Sequence, residues 1–101
     1  MSIKDEYEFA MAHLAHDLTV LGDAALRDDF DEARFRARMV VERAEAAGVA
    51  DVANAAKDLV ASLGPVGSQP GLLGYGVDIL RVAEELDKVG CQHLRHARRR
   101  C

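Results

Sequence analysis

Between Phe30 and Leu63 the chain carries two short amphipathic segments joined at Gly48, and neither alternates residue by residue as a half-buried strand would. Ala33, Ala37, Val40, Ala44 and Ala47 recur at spacings of four and three, which places them on one side of a helix. Gly48 supplies a residue free to adopt the left-handed backbone that ends helices. Val52, Ala55, Ala56, Leu59, Val60 and Leu63 then resume the same period until Gly64-Pro65 stops it. A hairpin of this kind has to bury its apolar stripes against further elements of the chain.

The flanking sequence supplies them. Ser2 and Asp5 form a capping-box pattern ahead of Tyr7, Met11, Leu14, Leu18, Leu21 and Ala25, so a first helix is expected over about residues 3–26. Asp28, Asp29 and Asp31 are N-cap candidates for a second helix at 31–47, and Asp51 for a third at 51–63. Both prolines of the chain fall in the stretch 64–71, which reads as the long loop. A fourth helix at about 72–96 points Leu73, Val77, Leu80, Ala83, Leu86 and Val89 toward the core. Gly71, Gly74 and Gly76 each cost about 1 kcal/mol relative to Ala inside a helix, which implies an irregular start or close backbone contact, and Gly90 is a candidate break. The expected fold is all-α, an antiparallel four-helix bundle in one domain spanning residues 1–101.

Composition narrows the function. No apolar run approaches the ~20 residues of a membrane span, and the stretch Met1 to Glu6 is too acidic for a signal peptide. Cys91 and Cys101 are a poor framework for a secreted fold, so free thiols and a cytoplasmic setting are expected. Residues 1–90 hold 17 acids against 9 lysines and arginines, whereas the basic tail 95–101 holds Arg95, Arg98, Arg99 and Arg100 and no acid. Arginines at that place complement the negative end of a helix dipole. The acidic body repels phosphates, so no nucleic-acid partner is expected. No Gly-Lys-Ser/Thr follows the glycines of the loop, and Ser2, Thr19, Ser62 and Ser68 sit in no strand-to-helix turn that would present a nucleophile. Asp28-Asp29-Asp31-Glu32 and Glu84-Glu85-Asp87 read as caps and a solvated face. The chain is therefore read as no enzyme, with no cofactor and no evident small-molecule substrate.

Two helices carry apolar residues on both sides. Phe9, His13, His16 and Val20 follow the helical spacing opposite the Tyr7-to-Ala25 stripe, and Phe35, Met39 and Ala46 do so opposite the alanine face of the second helix, interleaved with Arg38, Glu42 and Glu45. Either one of these is the true core face, or they meet another chain, as in a homodimer. His13-x-x-His16 and His93-x-x-His96 each place two rings on one side of a turn, with Asp17 and Cys91 close in sequence. A bundle metal site draws carboxylates from several helices with Glu-x-x-His motifs, which are missing here, and antiparallel pairing sets His93 nearer Glu6 than His13. No metal is assigned.

The run from Asp28 to Leu59, with Ala37, Val40, Ala44, Gly48, Val52, Ala53, Ala56 and Leu59 in frame, resembles the heart of histidine-containing phosphotransfer (Hpt) domains. Those are four-helix bundles that pass a phosphoryl group between response-regulator aspartates, and the likeness covers a third of the chain. It implies a bundle fold and a signalling partner. In this chain Arg38 stands at the phosphoacceptor histidine position, Val41 at that of the lysine and Glu42 at that of the glycine. A guanidinium cannot take a phosphoryl group as imidazole does, and Glu42 repels the anion. Ala15-His16-Asp17-Leu18 also resembles the phosphoacceptor box of sensor-kinase dimerisation helices, which continues Arg-Thr-Pro-Leu where this chain reads Thr19-Val20-Leu21-Gly22.

The expectation from sequence is a non-catalytic interaction or regulatory module of phosphorelay-docking type. Its partner is a protein or a second copy of itself, met through Phe9, His13, His16, Val20, Phe35, Arg38, Met39, Glu42 and Glu45. The alternative is a bundle whose histidines transfer phosphate or bind metal.

Overall fold

The computed structural model describes the backbone of residues 3–98 and the side chains of residues 6, 8–71 and 74–90. It contains four helices, α1 (Ile3–Leu26), α2 (Phe30–Ala47), α3 (Ala50–Leu63) and α4 (Leu72–Arg98), and no strand among the described residues. Each helix packs on the next, and α1 also meets α4, so the four close into a bundle. No described helix is long and apolar enough to cross a membrane. Ser2, the side chains of Tyr7, Leu73, Cys91, His93, Arg95, His96 and Arg98, and the stretch 99–101 lie outside the described residues.

Helix ends follow from local chemistry. Of the three acidic candidates before α2, Asp29 is the cap, its carboxylate accepting from the Glu32 amide at 3.3 Å. Gly48 ends α2 at φ +77°, and Val49 donates back to the Ala44 carbonyl at 3.0 Å, the six-to-one closure that a left-handed residue permits. Asp51 does not cap α3. That helix begins at Ala50 after Val49, which makes no side-chain cap bond, so Asp51 sits inside the first turn, where a negative charge favours the dipole.

Cross-helix pairs set the directions. Glu45 meets Lys57 at 3.0 Å near the Gly48 turn, while at the far end of the same hairpin Arg34 reaches the Leu63 carbonyl. Asp58 pairs with Arg81, and Ser62 hydrogen-bonds Asp78, so α3 and α4 also run antiparallel.

The core lines up as the apolar spacing of the first three helices requires. Leu14, Leu21, Ala24 and Ala25 of α1 are buried against Ala33, Ala37, Val40 and Ala44 of α2 and against Val52, Ala55, Ala56, Leu59 and Leu63 of α3. Alanine at so many facing positions lets the helix axes approach closely. Phe30 and Tyr75 close one end edge-to-face, with centroids 5.6 Å apart.

In α4 the sequence expectation holds for Leu86 and Val89, which pack against the core, and fails for Val77 and Leu80. Val77 is 61% and Leu80 67% exposed, and the inward stripe is Tyr75, Ile79, Val82, Leu86 and Val89. Both stripes keep helical spacing. Burial of Tyr75 and Val82 in the common core decides between them, and the flank contacts Asp58–Arg81 and Ser62–Asp78 agree with that rotation. Gly90 does not break the helix, which runs on to Arg98, and no neighbour approaches Gly71 or Gly74 closely.

Arg34, on the α2 face toward α3, is buried and was not foreseen. Its guanidinium donates to the carbonyls of Gly64 (3.0 Å), Leu63 (3.1 Å) and Ser68 (2.7 Å), to Ser68 Oγ (2.9 Å) and to Asp31 (3.1 Å). The Leu63 and Gly64 carbonyls are ones that the end of α3 leaves without helical partners, and the Ser68 carbonyl belongs to the loop that follows, so one cation ties the helix end to its loop. Gly64 is required there, since φ is +73° and a Cβ would lie 2.9 Å from Ser68 Oγ.

Candidate functional site

The seam between α1 and α2 is built on a charge. Asp17 is 1% exposed, with Arg36 Nη1 at 3.0 Å from Oδ1 and Arg43 Nε at 2.8 Å from Oδ2. The first contact is an aligned hydrogen bond, whereas the second is an ion pair without that alignment. A carboxylate withdrawn from water needs such partners to stay charged. Arg36 also donates to Glu32 at 2.9 Å. These contacts hold the Arg36 guanidinium above its usual range, first through the hydrogen bond to Glu32 and then through that to Asp17.

Asp17 was not singled out as a seam residue. The signal was present: Leu14, Asp17, Leu21 and Ala24 step by three, four and three, so an acid stands within the apolar period, and Arg36 and Arg43 lie two turns apart on the partner helix.

Outside this seam lie the residues singled out from the sequence. Phe9 is 60% exposed and its ring tilts against that of half-buried His13, centroids 5.0 Å apart. With Ala12 and exposed His16 they line a shallow depression on α1, and Val20 is half-buried farther along the same side. On α2, Phe35 is 52% exposed, with the Arg36 guanidinium carbon 5.7 Å from its ring centroid. The cation that neutralises Asp17 thus also supports the exposed ring.

Arg38, Glu42 and Ala46 are exposed and Met39 is half-buried, continuing the Phe35 side at positions three, four, seven and eleven residues on. Glu45 is also exposed but is tied to α3 through Lys57. Arg38 and Glu42 edge a second depression, between α2 and α3, whose apolar floor is Val41 and Val60.

His13 and His16 are not brought into a ligand set. Among the described residues no group of three or more His, Cys, Asp or Glu side chains could hold a metal ion. His93, His96 and Cys91 lie outside the described side chains.

Set against family models, curated proteins and solved structures, the chain matches none.

Proposed function

We propose that this bundle is a non-catalytic protein-interaction module that works in the cytoplasm through the outer sides of α1 and α2. The observation that supports it is the exposure of two phenylalanines, Phe9 and Phe35, on neighbouring helices that an ion pair to the buried Asp17 carboxylate ties together. Large aromatic rings left in water lose the free energy that burial would return, roughly 2 kcal/mol for a ring of this size. Two such rings, one on each helix, with Met39 beside Phe35 on α2, suit protein contacts on these outer sides. Rigidity adds to this, because Arg36 binds Asp17 and stands beside Phe35 at once, so little side-chain order remains to be lost on docking.

The role needs no phosphoryl chemistry. Arg38 at the position matching the Hpt phosphoacceptor offers a permanent positive charge and no nucleophile, so any signalling role passes through binding.

A photo-activatable aromatic amino acid placed in turn at positions 9, 35 and 61, in the cells that express the protein, tests this. Ala61 is exposed on α3 and serves as the control face. Discrete adducts from positions 9 and 35 and none from 61 support the reading. Equal or absent cross-linking from all three overturns it.

A further inference from the structure

Six of the eight charged side chains of α2 have an opposite charge within the chain: Asp31 with Arg34, Glu32 with Arg36, Arg43 with Asp17, and Glu45 with Lys57. Arg38 and Glu42 are the other two. They are exposed, one turn apart and of opposite sign, and neither has an ion-pair partner among the described residues. They bracket half-buried Met39 on the side of α2 that carries Phe35 and Ala46.

We infer that this face is covered by the same face of a second copy, with the two α2 helices antiparallel about a two-fold axis level with residues 40 and 41. The inference rests on the interaction reading above and names the partner. An isologous contact demands a self-complementary surface, and this one is self-complementary in charge and in shape. Antiparallel pairing brings Arg38 of each copy to Glu42 of the other. The same register, to within one residue, sets each Phe35 over the other copy's Ala46, a large ring against a small side chain, and the two Met39 side chains flank the axis, one from each copy. Charge and size thus select a single register to within one residue, about 1.5 Å along a helix. A parallel arrangement would instead oppose Arg38 to Arg38 and Glu42 to Glu42.

Charge reversal tests it, because both residues are solvated and neither supports the core. Light scattering on the reduced full chain over a concentration series, with a thermal melt of each variant, is the measurement. Wild type is expected to be a dimer. Arg38→Glu and Glu42→Arg, each placing like charges face to face, should each weaken the dimer at least tenfold. The double variant Arg38→Glu/Glu42→Arg should regain it, and an equimolar mixture of the two single variants should form the heterodimer.

A wild-type monomer overturns the inference, as does a dimer indifferent to both reversals or one that the double reversal fails to restore. The cross-link from position 35 then separates the two levels. An adduct whose mass differs from twice that of the chain removes only self-pairing, whereas no adduct removes the interaction reading too.

Discussion

Asp17 and Arg36 meet across the α1–α2 seam at 3.0 Å, the carboxylate almost wholly withdrawn from water and the guanidinium still in contact with it. Because Phe35 immediately precedes Arg36 on α2, this bridge holds the turn from which its ring points outward. The ion pair therefore positions the exposed face.

Replacing Asp17 by Asn keeps the shape and removes the charge from between Arg36 and Arg43. Breaking a fully buried pair costs about 3 to 5 kcal/mol, and here both arginines retain some solvent, so a loss of about 2 kcal/mol is expected. Urea unfolding of wild type and Asp17→Asn measures it.

Arg36 also sets the alkaline behaviour. Its folded-state pKa is raised, chiefly by Glu32 and then by Asp17. A cation with a raised folded value contributes stability that is fully present below its unfolded value and lost only as pH rises through the folded one. The contribution of Arg36 should therefore stay constant from neutral pH to about pH 10, well below the guanidinium range. The stability difference between wild type and Arg36→Met, followed by urea unfolding across that interval, should be flat. A fall toward pH 10 would contradict the assignment.

Arg34→Lys should destabilise despite keeping the charge. An ammonium cannot reach the carbonyls of Leu63, Gly64 and Ser68 together as the planar fork does, and an orphaned buried acceptor costs about 1 to 3 kcal/mol. A loss of about 2 kcal/mol is expected in equilibrium unfolding, accompanied by faster amide exchange at Ser68. Asp31→Ala, at the exposed end of the same guanidinium, should cost no more than about 0.5 kcal/mol.

The stripe Val40, Ala44, Val52, Ala56 and Leu59 was legible because apolar spacing alone marks it, with Gly48 as punctuation. Asp17 and Arg34 were not, since a charge on an inward face looks like a solvated residue until its partner helix is known. In α4 two helical stripes compete, and only the packing of the assembled bundle decides between Val77 and Val82. The outward face of α2 was legible only as one of two choices, and burial of Ala33, Ala37 and Ala44 settles it by leaving Phe35 exposed.

The corrected face of α4 makes its own prediction. Val77→Ser and Leu80→Ser, on the exposed side, should each change stability by no more than about 0.5 kcal/mol, whereas Val82→Ala in the core should cost about 2 kcal/mol. Melting temperatures of the three variants distinguish this rotation from the alternative.

The molar mass of the reduced protein in solution, compared between wild type and Phe35→Asp with a thermal melt of each, tests the central claim most directly. The account predicts a wild-type dimer, a monomeric variant and melting temperatures that agree once both samples are diluted to monomer. A variant of unchanged mass, or one that no longer folds, would contradict it by showing that Phe35 lies outside the contact or inside the core.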